Sequence, residues 1–226
     1  VRPLEIKDDN LLFYQGQISQ YDVNKKSRQA LNLGLGYRML SDDGSYFSGV
    51  NTFLDVDSEE NYRAGVGFEL RSSSFELNGN YYNALSGAVT VGDETNRALN
   101  GHDITAVGQA PYLPWIDLSL SSYEWEAEQN SKNSKGEVYK GQFYLTKSLS
   151  LEAGIDDNNI TLEDNFFRLT YVHPPKDRTT LQDGFISNNA FENADVSKEM
   201  LTKVKRSNKI VVEVEASGVV ISNGNS

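Results

Sequence analysis

Two histidines and no cysteine limit the catalytic chemistry open to this 226-residue chain. A serine–histidine–carboxylate relay needs one histidine held beside its two partners, and a zinc centre needs three or four nitrogen, sulfur or carboxylate ligands. His102 and His173 each stand alone at the end of an alternating segment, which suits an interfacial or structural place. Carboxylates are more plentiful: Asp42/Asp43, Asp55/Asp57/Glu59/Glu60, Glu124/Glu126/Glu128 and Asp156/Asp157 form close groups. Such groups could cut glycosidic bonds or bind Ca²⁺. They fall at segment ends and in spacers without the spacing of a Ca²⁺ loop, so solvated loop charge is the expectation. No metal or cofactor is expected, and the chain is not expected to be an enzyme.

A third set of charges is distributed along the chain. Arg38, Arg63, Glu69, Arg71, Glu76, Asp103, Lys140, Glu152 and Arg168 each occupy the polar parity of an alternating stretch. Charges of both signs on one side of successive strands can pair across strands and fill an enclosed space. They can also make a charged wall that holds or guides a polar segment. Both readings stand.

Such residues need strands to position them, and period-two patterning is what the chain supplies. "ALNLGLGYRM" (30–39) sets Leu31, Leu33, Leu35, Tyr37 and Met39 against Ala30, Asn32, Gly34, Gly36 and Arg38. "NYRAGVGFELR" (61–71) repeats the pattern, and so do stretches at 11–21, 45–56, 74–84, 101–110, 115–125, 138–147, 149–156 and 164–173. That makes ten strands, with "RPLEIK" as the stub of an eleventh, and none has helical periodicity. The spacers near 41–44, 72–74, 111–114 and 147–149 are tight, whereas those near 57–61, 85–100, 127–137 and 156–164 are longer, polar and acidic.

Short turns on one rim and long polar loops on the other fit an up-and-down transmembrane β-barrel with lipid outside and a polar lumen. A soluble sandwich or lipocalin-like barrel has the same pattern strand by strand. Tyr112, Trp115, Tyr123 and Trp125 near strand ends suit an aromatic girdle, or equally a sandwich core. The net charge of −11 offers no basic patch for nucleic acid, and the lack of cysteine rules out a disulfide scaffold. No stretch reaches the roughly 20 apolar residues of a spanning helix. "VRPLEIKDD" has no signal-peptide hydrophobic region, so any secretion signal is expected to have been removed already.

After His173 the alternation stops. "DVSKEMLTKVKR" (195–206) reads as a short helix with Asp195 as cap and Val196, Met200, Leu201 and Val204 as its apolar stripe. "SNKIVVEVEASG" (207–218) is extended.

At "LNLGLGYRML…GVNTFLDVD", "RAGVGFELR", "FELNGNYYNALSG", "NGHDITAVGQAPYLPWIDLSLSSYEWEAE" and the tail "VKRSNKIVVEVE", the sequence resembles the β-domain of the inverse autotransporters, the intimin/invasin family. The resemblance runs from about residue 3 to 216. It implies a barrel of about twelve strands over residues 1–175, with the first strand upstream or supplied by 174–194. It further implies a periplasmic joint over 176–206 with a helix near 195–205, and a linker over 207–226 threading the pore toward a C-terminal passenger. Met200, Val204, Arg206, Ser207, Asn208, Lys209, Val211 and Glu213 are the implied helix and linker residues, and the charged set above would line the pore. The implied role is an outer-membrane translocator that displays an adhesin or invasin-like passenger, with the long loops and C-terminus at the cell surface. The implied partners are outer-membrane lipid and lipopolysaccharide, the barrel-assembly machinery, periplasmic chaperones and, through the passenger, a cell-surface receptor. A barrel enzyme, a passive porin and a soluble sandwich binding module are the alternatives on the residues alone.

Overall fold

In a computed structural model the alternating stretches form one antiparallel up-and-down sheet. The structure describes residues 1–24, 26–91, 94–129, 132–160, 162–216 and 218–222. The end of the expected linker, at 223–226, and residue 217 lie outside the described residues. Eleven strands follow one another as neighbours: β1 (Arg2–Lys7), β2 (Asn10–Val23), β3 (Lys26–Leu40), β4 (Tyr46–Asp57), β5 (Tyr62–Ser72) and β6 (Phe75–Ala84), then β9 (Gly101–Ala110), β10 (Leu113–Trp125), β11 (Ser134–Tyr144), β12 (Leu149–Asn158) and β13 (Leu162–Tyr171). The loop between β6 and β9 carries a hairpin, β7 (Val89–Val91) and β8 (Glu94–Ala98). Near the C-terminus are β14 (Val212–Ala216) and β15 (Gly218–Ser222). These four make a second sheet in the order β15-β14-β8-β7. The ten full strands and the short first one match the sequence expectation. The large sheet is barrel-like but not closed, with β1 and β13 at its two edges.

The alternation sets which side each residue takes. On β3, Leu31, Leu33, Leu35, Tyr37 and Met39 are exposed on the outer face, while Asn32 and Arg38 are fully buried on the inner one. β5 does the same, with Tyr62, Val66, Phe68 and Leu70 outside and Arg63 and Glu69 inside. An apolar outer face continued over so many strands far exceeds the few hundred Å² that soluble proteins leave in water, and it suits hydrocarbon.

The inner face is shaped by missing side chains. A Cβ on Gly36 would lie 2.2 Å from the Phe13 ring, and one on Gly34 would lie 2.5 Å from Phe53, so these glycines are notches that let both rings lie flat against β3. Gly49 sits on β4 between Arg38 of β3 and Glu69 of β5, in register with both. With no side chain in between, the Arg38–Glu69 ion pair closes over the top of β4.

One expectation needs correction, and one of two open alternatives falls away. The spacers at 57–61 and 156–164 are not long loops: β4 runs to Asp57 and β12 to Asn158, and the next strands begin at Tyr62 and Leu162. Residues 174–194 supply no strand: they form irregular chain with one 3-10 turn, Leu181–Asp183, against the short-turn rim.

Candidate functional site

The enclosed face of the sheet is occupied by the chain's own C-terminal segment. It enters at the short-turn rim and leaves at the rim that carries the β7–β8 hairpin.

At the entrance, Val196, Met200 and Val204 pack into a cluster with Leu11, Phe13, Phe47 and Phe53. The expected helix over 195–205 is here a single 3-10 turn, Ser197–Leu201, with the Asp195 carboxylate accepting the Ser197 N–H at 2.7 Å. Its shortness has a cause in the wall. An α-helix would join the Met200 carbonyl to the Val204 N–H. Instead Arg38 donates to the Met200 carbonyl and, at 2.9 Å, to that of Thr202, while Val204 donates to Gln15 Oε1 at 2.9 Å. Arg38 is itself fixed by a two-pronged bond to Glu69 (2.7 and 2.9 Å) and stacks over Phe13 and Phe47. Arg71 pairs with Glu199 and donates to Thr202 Oγ1 at 3.2 Å, and Lys205 meets Glu76 at 2.6 Å.

Midway, Asp55 of β4 is shared between wall and guest. Arg63, directly opposite it on β5, donates to Asp55 Oδ2 at 2.9 Å; Arg206 of the inner segment grips both carboxylate oxygens at 2.9 and 2.6 Å. Asn32 completes the carboxylate at 2.8 Å and also holds the Asn208 carbonyl at 3.1 Å. Arg63 reaches on to the Ser207 carbonyl at 2.7 Å, and Ser207 N–H donates to the Tyr82 hydroxyl at 2.8 Å, which donates in turn to Asp103 at 2.6 Å. Asn80 bridges Asp103 and the Lys205 carbonyl. Arg206 lies over the rings of Phe53 and Tyr82. All three charged groups are nearly inaccessible: Asp55 is 2% exposed, Arg63 0% and Arg206 9%.

At the exit, Ile210 N–H donates to the Tyr21 hydroxyl and Leu99 N–H to the Val211 carbonyl. Val211 packs among Tyr82, Leu99, Tyr123 and Trp125, while Ile210, Val212 and Val214 pack with Tyr21, Val23, Ala30 and Ala98. β14 then adds as a strand to β8, Val212 opposite Ala98 through Glu215 opposite Thr95. Glu213 Oε2 accepts the N–H groups of Glu128 and Gln129, tying the next loop to the same strand.

These contacts divide the energetics. The three apolar clusters supply the favourable burial. Buried ion pairs add little net stability over an apolar filling, but a misaligned one is costly, so they set the register in which the segment can lie.

The wall is used unequally. Of the sequence-derived charges, Arg38, Arg63, Glu69, Arg71 and Glu76 sit on the side that engages the segment. On the far side Lys140 and Arg168 each pair with Glu152 at 3.1 Å and line a cavity of about 620 Å³. Lys209 is half-buried, and its carbonyl accepts from the Ser207 hydroxyl. Exposed His102 lies on the outer face and exposed His173 beyond the last strand.

Asp55, Asp57 and Asp156 were expected as solvated loop charge, and the structure overturns this, since all three are buried. Their inward parity on β4 and β12 was the available signal; their place next to an acidic spacer masked it. Tyr123 and Trp125 belong to no outer girdle, because both face inward and close the exit. Asn32, Gln15 and Tyr82 had no charge to single them out. The β8–β14 pairing joins residues too far apart for any local pattern to reveal.

Comparison with known proteins agrees with this architecture. The model of the family described as "Inverse autotransporter, beta-domain" matches residues 1–166. An invasin from Yersinia enterocolitica is 30% identical over 130 residues, 56% of this chain; the matched part is 15% of that protein. A solved chain reported in "Unveiling the Mechanism Behind the in-meso Crystallization of Membrane Proteins" superposes with a TM-score of 0.72 at 20% identity, covering 94% of this chain and 90% of its own. At that identity the likeness is one of fold.

Proposed function

We propose, since the chain belongs to the inverse autotransporter β-domain family, that its barrel exports and then displays a passenger joined to its C-terminal end. The family places the barrel in the bacterial outer membrane in a translocator and anchor role. In this reading residues 1–175 are the anchor, 176–206 the periplasmic joint, and 207–226 the linker that carries the passenger to the surface. The rim with the β7–β8 hairpin faces outward from the cell. The barrel-assembly machinery and periplasmic chaperones deliver the chain, lipopolysaccharide surrounds the outer rim, and receptors are reached through the passenger. The likeness to an invasin supports an adhesive or invasive passenger.

One observation carries the reading. Residues 202–214 run along the inside of the barrel from one rim to the other, held by Arg38, Asp55, Arg63 and Glu76 on the wall and clasped by β8 at the far rim. A segment fixed in this way is a tether, and the bonds that fix it resist withdrawal in either direction. Deleting residues 195–226 should raise single-channel conductance in planar bilayers several-fold. Unchanged conductance would show that the segment does not fill the lumen.

A further inference from the structure

Between the last barrel strand and the lumen, the chain makes a detour along the short-turn rim beside β9 and β10, and it is fastened there at several points. Ser187 N–H donates to the Tyr112 carbonyl at 2.8 Å, and Tyr112 N–H to the Ala190 carbonyl at 2.9 Å. Tyr112 adopts the left-handed conformation (φ 65°) in the two-residue turn between these strands. Glu192 N–H donates to Gln109 Oε1, and Trp115 Nε1 to the Phe185 carbonyl at 2.9 Å. Arg178 meets Asp117 at 3.2 Å and covers the Tyr144 ring.

This fastening leaves large apolar side chains pointing away from the protein. Phe185 is 61% exposed, Ile186 71% and Phe191 52%, among polar neighbours such as Asn188 and Asn189. A mere spacer has no need of them. Phe185 also joins the set to the barrel wall: its ring lies 5.3 Å from that of buried Trp115, and Trp115 lies 6.3 Å from Phe143. Phe143 has the same parity on β11 as Tyr139, which is exposed on the outside.

We propose that residues 185–191 are an interfacial anchor, with Phe185, Ile186 and Phe191 entering the headgroup–acyl boundary of the phospholipid leaflet around the short-turn rim. Lipid is the occupant because the apolar band the segment extends is the one that faces hydrocarbon. Aromatic and aliphatic side chains on a short polar backbone are what membrane-surface segments present. The anchor fixes the height of the rim in the leaflet, and with it the place where the chain turns into the lumen.

The inference rests on the membrane reading of the barrel, and the test separates the two. The chain has no cysteine, so single-cysteine variants of the whole chain can carry an NBD fluorophore after reconstitution into phosphatidylethanolamine/phosphatidylcholine vesicles. Ile186→Cys is the probe, with Phe185→Cys as a second should the first not fold. Leu33→Cys, mid-strand and 54% exposed, reports the wall. Lys198→Cys, its native side chain 83% exposed, reports the aqueous mouth. The expected result is blue-shifted emission at 186, quenched at least twofold by lipids bearing doxyl near the headgroup and less by deeply doxylated ones. The order of depth should reverse at 33, and 198 should remain unquenched. Quenching at 33 without quenching at 186 and 185 would overturn the anchor, including the case of blue-shifted but lipid-insensitive emission, which would mean a protein partner. Absence of quenching at 33 would overturn the membrane reading beneath it.

Discussion

Replacing Asp55 by alanine removes the carboxylate that both Arg63 and Arg206 depend on. The wild-type group accepts three guanidinium hydrogen bonds between 2.6 and 2.9 Å, and a fourth bond from Asn32 at 2.8 Å. Without it two buried guanidinium groups face each other unneutralised. Removing one partner of a buried ion pair costs about 3–5 kcal/mol. At about 1.4 kcal/mol per tenfold, the docked population of residues 202–214 should fall by roughly two to three and a half orders of magnitude relative to the undocked one. The barrel wall should survive, because its backbone ladders are untouched. The assay is amide hydrogen exchange of residues 202–214 in reconstituted protein, alongside single-channel recording: exchange should accelerate there, and openings should become frequent. A control isolates the cause. In Asp55→Leu/Arg63→Met/Arg206→Met no charge remains to be stranded, and docking should return to within about 2 kcal/mol of the wild type, as apolar replacement of a buried ion network commonly allows. If Asp55→Ala left both exchange and conductance unchanged, the shared carboxylate would not hold the segment, and the account of the lumen would be wrong.

Other perturbations probe different parts of the structure. Gly36→Ala should push the Phe13 ring off β3 and cost about 1–3 kcal/mol by overpacking, read as a lower urea midpoint; Gly16→Ala, whose nearest neighbour is 3.6 Å away, should be nearly silent. Leu33→Arg places a charge at mid-strand on the outer face and should destabilise the vesicle-inserted barrel by about 2–4 kcal/mol in a denaturant titration. Thr95→Cys/Glu215→Cys should form a disulfide on oxidation, because these residues are direct partners across β8 and β14; no cross-link in the folded protein would mean that the segment does not exit beside that hairpin. At the short-turn rim, hydrogen bonds from Ser45 and Ser41 hold the Asp43 carboxyl down to about 2. Its folded value lies below the ordinary one, so its contribution to the turn is complete above about pH 4 and lost as the pH falls through 2. The Ser45 amide resonance should therefore stay put to about pH 3 and move below it.

Much of the barrel was legible because lipid and lumen impose opposite demands on neighbouring residues, and that opposition is written into each strand at period two. The side taken by Arg38, Arg63 and Glu69 follows from the parity of Leu31–Met39 and Tyr62–Leu70 alone. What these charges bind was not legible. Gln15, Asn32 and Tyr82 are matched to carbonyl and N–H groups of the inner segment, and backbone groups leave no trace in a sequence. The expected helix failed for a similar reason. Local capping and charge favoured it, but Arg38 and Gln15, far away in the chain, take the carbonyl and N–H that its next turn would have joined. Asp55 misled because its spacing suggested a solvated loop, whereas β4 runs on past it into the enclosed face.

The most direct test of the central claim, that the segment after the barrel passes through it to the opposite side of the membrane, is an epitope tag placed after Ser226 and stained on intact cells. The account predicts antibody labelling and protease removal of the tag from outside, with the short-turn rim reached only after the envelope is opened. A tag on folded, membrane-inserted protein that becomes accessible only together with that rim would contradict it.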